Sequence, residues 1–422
     1  GTASPCHLRP GIPAVMIDRQ PGIELRDLLM DGVTVNMTLG TFEKTYLTDT
    51  ISDFSSRGPA RFDAGIKPQV TAPGTNVRSA LVGSGDDALN LSGTSMAGPA
   101  VAGTAAILWQ RNHAQKLALG GADIGALVMN YADPVVHIVR QDTGPLAAVM
   151  RQGSGRVNAL RSAAGTTLVR SDHGLAALGF GHVHVRDEPV VVTRTLRVRN
   201  LANRAQSYGA TADLAFPDED DRQGVRLTFA PERLTVPAGS EGRIEVKLTV
   251  EPKALRAWDL RGAEAMRNEA ALQRLEVDGW VGVAVVDGNG RPIVGGDRVG
   301  VPFHVLPRRH TCVAATAGDP LVFLEPEERQ TLAWRNGCGI DGTVSPFYLG
   351  GTDNAESSVV DGFPERVDID AVGVRFGRRA DKGDGNEPLI TWAIHTRAPQ
   401  RIPAEVEYRV YVALERDGTF DQ

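Results

Sequence analysis

Residues 94–110, TSMAGPAVAGTAAILWQ, are apolar around nearly the whole circumference of a helical wheel. A helix with no polar face to offer water is predicted to be buried. Pro99 lies four residues past Ser95, so it forfeits only a hydrogen bond to the Ser95 carbonyl, at the edge of the first turn. With 422 residues in all, the chain is too long for one ordinary core, and two to four domains are expected.

Around this helix the pattern is mixed. GIPAVMIDRQPGIELRDLL predicts a short strand, a Pro-Gly turn and a short helix, and GVTVNMTLG alternates as a strand does. Residues 51–90 are rich in Gly, Pro, Ser and Asp and read as loops. A second helix is predicted at about 122–131, and GSGRVNALRSA (153–163) predicts a turn and a short helix. From about 180 the texture becomes period-two. HVHVRDEPVVVTRTLRVRNLA and RLTVPAGSEGRIEVKLTV alternate, and GWVGVAVVDGNGRPIVGGDRVGVPFHV adds a hairpin with Asp-Gly and Asn-Gly turn chemistry. This is a β-sandwich pattern. A further β-rich segment follows LPRR (306–309) to the end.

Bulk properties exclude several functions. A formal charge of −6 and scattered arginines give no long-range attraction for nucleic acid or anionic lipid. No apolar run is long enough to span a membrane. The opening GTASPCHLRPGIPAV lacks both a basic-then-apolar start and an initiator Met, so it is not a signal peptide; a fragment or processed product is expected, and secretion is left open. Cys312 and Cys338 lie in one region and could be a disulfide or two small core residues; Cys6 has no evident partner. No Cys/His cluster suggests zinc. The acidic, Gly-rich stretches 380–388 and 415–422 do not have calcium-loop spacing and read as solvated turns. Asn36 and Asn90 open glycosylation sequons, of a kind common by chance.

Ser95 follows Gly93 and Thr94 in a tight turn into the helix. Small neighbours leave room for a substrate backbone. The helix start offers unpaired N–H groups and a positive dipole end, suited to an oxyanion. Serine is equally an ordinary helix cap, and this stretch alone does not choose between the two.

The wider text does. GTSMAGPAVAG resembles the serine motif of the subtilisin-like serine proteases (subtilases, peptidase S8 family). SDFSSRGP (52–59), IKPQVTAPGTNV (66–77) and GSGRVNALRSA resemble the segments around it, in order and over about 110 residues. GIPAVMIDRQPGIELRDLL resembles the tail of a protease-associated insert. LGFGHV and VPAGSEGRIEVKLTV resemble a fibronectin-III-like sandwich. The resemblance implies the C-terminal part of an α/β subtilisin-like domain followed by all-β sandwich domains. Its divisions are 1–45 (insert tail), 46–170 (catalytic part), 180–306 (fibronectin-III-like) and 307–422 (second β-rich domain). It also implies a secreted or cell-surface serine endopeptidase acting on polypeptides. Ser95 would be the acyl-forming nucleophile and its N–H an oxyanion donor, Thr94 and Met96 its flanking residues, and Ser92 and Gly93 residues lining the cleft. No cofactor is required; a structural calcium is allowed but no motif supports it, and no metal ligands are assigned.

The chain departs from the family pattern. Subtilases place Asp, His and an oxyanion Asn before the serine. His7 is the one His upstream of Ser95, and its SPCHLRPG context rules it out as the base. Asp142–Thr143–Gly144 resembles the family's Asp motif but falls after the serine, as a decoy turn. His173, His182 and His184 also lie downstream; the last two alternate on a strand and read as structural, or at most a weak metal pair. The chain therefore carries one triad member, is expected to be inactive alone, and is expected to draw Asp, His and Asn from the upstream part of the same precursor. Two other readings compete. An α/β-hydrolase would want a strand into a G-x-S-x-G elbow, where this chain has a poor strand and Ala97. A non-catalytic secreted β-rich binding or adhesion chain would carry a degenerate subtilase segment.

Overall fold

The computed structural model describes residues 19–36, 47–60, 65–138, 144–215, 224–255, 275–309, 312–317, 333–337, 345–353, 369–378 and 388–396. Helix α1 (Arg19–Met30) corrects the sequence reading, because Pro21 and Gly22 sit inside its first turn rather than before it. First-turn amides have no carbonyl four residues back, so proline loses nothing there. The helix ends on Gly32 at φ +75°, with Gly32 N–H donating to Leu29 O (3.1 Å) and Val33 N–H to Leu28 O (3.0 Å). This paired C-cap uses the Val33 amide, so 33–36 is not the strand that its alternation suggested. The rest of that stretch, 37–40, lies outside the described residues, as does the strand expected before α1.

Strands β1 (Val77–Ala80) and β2 (Ala88–Leu91) form an exposed antiparallel hairpin, Val77 opposite Leu91. Helix α2 (Thr94–Gln115) follows, five residues longer than predicted. Lys116 ends it in the left-handed region. Asn112 then makes two bonds of 3.0 Å with the Leu119 backbone, its Nδ2 donating to Leu119 O and its Oδ1 accepting the Leu119 N–H.

The expected burial of α2 is corrected. Thr104, Leu108 and Asn112 are buried, but Ile107 and Trp109 remain 46% and 47% exposed. α2 packs against α3 (Gly121–Asn130) and α5 (Ala159–Ala164), which cover one side of it. By contrast α3 is buried from Asp123 onward except at Gly125, and Asp123 Oδ2 caps it by accepting the Gly120 N–H at 3.0 Å. A one-turn helix, α4 (Val149–Gln152), precedes the turn into α5.

Two sheets follow. One has five strands in the order β4-β11-β10-β6-β8: Leu178–Val185, Arg298–Arg309, Val277–Val285, Gln206–Leu214 and Leu234–Val236. The other has four, β3-β5-β9-β7: Thr167–Ser171, Val190–Asn200, Glu241–Val250 and Val225–Ala230. Pairing is antiparallel apart from β4 with β11. The predicted hairpin is β10–β11, Val281 opposite Val301. Asp287 organises the turn below it, its Oδ1 accepting the N–H groups of Asn289 and Arg291 at 2.9 Å each.

Inward residues of both sheets, such as Val198, Leu248, Val283 and Phe303, share one apolar core with Leu108, Leu127 and Met150 of the helical part. Beyond it, the described residues form a pair of strands, β12 (Val313–Ala317) and β13 (Ala333–Asn336). A three-stranded antiparallel sheet follows: β14 (Tyr348–Thr352), β15 (Ile369–Arg378) and β16 (Pro388–Thr396). Cys312 is disulfide-bonded; Cys338 and Cys6 lie outside the described residues.

Candidate active site

Three of the four sequence blocks meet at the start of α2, and the fourth, 153–163, fastens the far end of the loop that reaches it. Ser95 is the second residue of the helix and is exposed. Gly93 precedes the helix in extended conformation. The N–H groups of Thr94 and Ser95 have no carbonyl four residues back in the helix, which leaves them free to serve an incoming oxygen. Met96 N–H returns to Gly93 O at 3.0 Å.

The approach to Ser95 is held by the loop 71–77. Gly93 N–H donates to Gly74 O at 2.8 Å, and Asn76 N–H donates to Ser92 Oγ at 2.8 Å. Asn76 supplies that N–H from the left-handed region, at φ 55°, a conformation asparagine tolerates. A Cβ on Gly74 would stand 2.8 Å from Gly93 O and 3.3 Å from the Ala97 Cβ, so the close approach needs glycine. The other end of the loop is bolted to the 153–163 block: Thr71 N–H donates to Gly155 O, and Val157 N–H to Thr71 O, each at 2.8 Å. The 52–59 block joins through a 2.8 Å hydrogen bond between the Ser52 and Thr75 hydroxyls.

Of the residues predicted to line the site, Ser92, Gly93 and Met96 are half-buried, and Thr94 is exposed beside Ser95. Among the described residues no histidine or carboxylate is hydrogen-bonded to Ser95. His113 lies eighteen residues further along α2, about 27 Å away by helix rise. His137 Nδ1 meets Gly144 O at 3.0 Å, His173 lies by Asp172, and His395 meets Asp370 at 2.9 Å. His182 and His184 face each other with ring centroids 4.0 Å apart. No group of three or more potential metal ligands occurs among the described residues. Asn36 and Asn90 are exposed. His7, Asp142, Thr143 and the stretches 380–387 and 415–422 lie outside the described residues.

Sequence reasoning missed a buried polar seam between the helical part and the β10–β11 hairpin. Val149 N–H donates to Asp278 Oδ2 at 2.6 Å. Tyr131 donates its hydroxyl proton to Asp297 Oδ2 at 2.6 Å, while the Tyr131 hydroxyl oxygen accepts the Thr167 N–H at 3.0 Å. Burial, reinforced by Asp297, raises the Tyr131 hydroxyl well above its usual range. Arg57 Nη2 meets Glu276 Oε2 at 2.7 Å, with His304 Nε2 at 3.7 Å from the same oxygen. Burial by itself would raise the Glu276 carboxyl, but hydrogen bonding and charge from His304 and Arg57 outweigh it and lower it to about 2. The available signal was the pair Glu276 and Asp278, two acids at period-two spacing leading into an otherwise apolar strand.

Residues 29–161 match the model of the subtilase family, Peptidase_S8. Three relatives extend the likeness. The chain is 25% identical over 260 residues to the minor extracellular protease Vpr of Bacillus subtilis (strain 168), covering 61% of this chain and 30% of that one. It is 27% identical over 253 residues to the C5a peptidase of Streptococcus pyogenes, covering 56% and 20%. It is 30% identical over 249 residues to the PII-type proteinase of Lactococcus lactis subsp. cremoris, covering 53% and 13%. The chain thus spans less than a third of the length of these relatives. No helix among the described residues is long and apolar enough to cross a membrane.

Proposed function

We propose that this chain is the serine-bearing part of a subtilisin-type endopeptidase, with Ser95 forming an acyl-enzyme on polypeptide substrates. The observation that carries the reading is the meeting of blocks 52–59 and 66–77 at the start of α2, where Ser95 stands exposed, with block 153–163 fastening the far end of the 71–77 loop. In this reading the Ser95 N–H donates to the oxyanion, and Ser92, Gly93, Thr94 and Met96 border the cleft. A histidine base oriented by an aspartate, and an oxyanion asparagine, come from the upstream part of the same precursor. That polypeptide covers the uncovered side of α2 around Ile107 and Trp109, restoring the burial its sequence calls for. No cofactor is needed. The helical part belongs to an α/β subtilisin-like domain (46–170), preceded by an insert tail (1–45) and followed by a fibronectin-III-like sandwich (180–306) and a second β-rich domain (307–422). The likeness to Vpr, an extracellular protease, supports a secreted or surface location.

A second reading, a non-catalytic β-rich binding chain with a degenerate subtilase segment, draws on the lack of a base or acid hydrogen-bonded to Ser95 among the described residues. Fluorophosphonate labelling separates the two. The chain alone should not label. Produced together with the polypeptide encoded before Gly1, it should label at Ser95 and cleave peptides, and Ser95→Ala should abolish both. Absence of label at Ser95 in the combined product would favour the second reading.

A further inference from the structure

Glu276 leads into β10 and is buried at the seam. Arg57 reaches it from the turn 55–59, and the guanidinium is shared: Nη2 takes the Glu276 carboxylate at 2.7 Å while Nη1 holds Gly58 O at 3.3 Å. The same turn is tied to α4 by Gly58 N–H to Met150 O at 2.8 Å and by Arg151 Nη1 to Ser55 O. The charged and titratable groups around Glu276 are Arg57 from the turn, His304 from β11 and, on its own strand, Asp278, which is occupied by the Val149 N–H. Arg151 stands on α4 behind the turn. One carboxylate therefore faces a guanidinium and an imidazole inside the seam, and among the described residues it is the group that connects the Arg57 side chain to the sheet.

We infer that Glu276 is a latch: ionised, it holds Arg57 and the turn 52–60 against the β10–β11 hairpin; neutral, it releases that turn while both sheets stay folded. A buried guanidinium that loses its partner is strongly disfavoured, and the exit open to Arg57 is outward movement with its turn. The hairpin ladder pairs Asp278 with His304 through backbone bonds, and Arg57 and Glu276 lie outside its register. Depression of the carboxyl by its two partners places the release on the acid side, as pH falls from the ordinary carboxylate range toward about 2. The inference is independent of any activity at Ser95.

Hydrogen exchange read by mass spectrometry tests it on the whole chain. In Glu276→Gln at neutral pH, protection in the peptide 52–60 should fall about tenfold or more, while the β5–β9 amides, such as Val198 and Leu248, change less than about twofold. Wild-type protein taken from pH ~6 to pH ~3.5, with rates corrected for intrinsic exchange, should begin the same selective loss. Unchanged protection at 52–60 in both arms would overturn the latch, and so would loss shared equally by the sheets. If Glu276→Gln does not fold, the acid arm on wild-type protein decides by the same criteria.

Discussion

The Asn76 N–H donates to the Ser92 hydroxyl at 2.8 Å, fastening the loop 71–77 to the strand end that delivers Ser95 to its helix. Removing that acceptor with Ser92→Ala leaves a strained left-handed residue without its reward. A neutral hydrogen bond of this kind contributes about 1 kcal/mol, and the urea midpoint should fall accordingly. In an active protease preparation, kcat should fall more than KM rises, since the clamp acts on the placement of the nucleophile.

Ser95 itself is exposed at the helix start and contributes no packing to the core. Ser95→Ala should leave unfolding within about 0.5 kcal/mol of wild type. A larger loss would mean that the hydroxyl has a structural partner and that its availability for chemistry has been misread.

Gly155 has φ +114°, and a Cβ there would collide with the Asp133 carbonyl, which accepts the Arg156 N–H at 2.7 Å. Gly155→Ala should destabilise by about 3 kcal/mol or prevent folding, through backbone strain added to backbone overlap. Thermal unfolding followed by circular dichroism would show it. Its effect should reach the serine clamp, because Gly155 O holds Thr71 at the far end of the loop.

Tyr131→Phe deletes the hydroxyl that serves Asp297 and the Thr167 backbone at once. Leaving a carboxylate and a backbone amide short of a partner should cost about 2–3 kcal/mol. Chemical denaturation should show the loss as a single transition, because helices and sheets share one core.

Stability should also depend on pH through Glu276. Its folded value of about 2 lies below the ordinary 4.5, so its contribution is fully present above about pH 4.5 and is lost as pH falls toward 2. The full contribution is on the order of 3 kcal/mol. Urea midpoints measured from neutral pH downward should decline in this window for wild type. The decline should be smaller in Glu276→Gln, which has already lost the charge.

Much of the local structure was legible because it depends on near neighbours. Gly93–Thr94–Ser95 announced a helix start, the Asp287 turn announced its hairpin, and strict alternation in 241–250 placed Ile244, Val246 and Leu248 on one inward face. Pro21 misled, because a Pro-Gly pair is as welcome in a first helical turn as in a reverse turn. Val33–Asn36 misled because a helix C-cap claimed the amide that a strand would need.

By itself the sequence determined where α2 begins, the hairpin turn at Asp287, the inward face of strands such as 241–250, and which serine stands at the helix start. These follow from spacing and from bonds a few residues long. Only the tertiary structure decided which apolar surface is covered and which charges are buried. The side of α2 bearing Ile107 and Trp109 stays open among the described residues, although its composition is that of a buried helix. Arg57 finds Glu276 across 219 positions of chain, and Tyr131 finds Asp297 across 166. No pattern along the chain encodes such pairs, because their energy arises when distant segments exclude water together and each polar group must find a partner there.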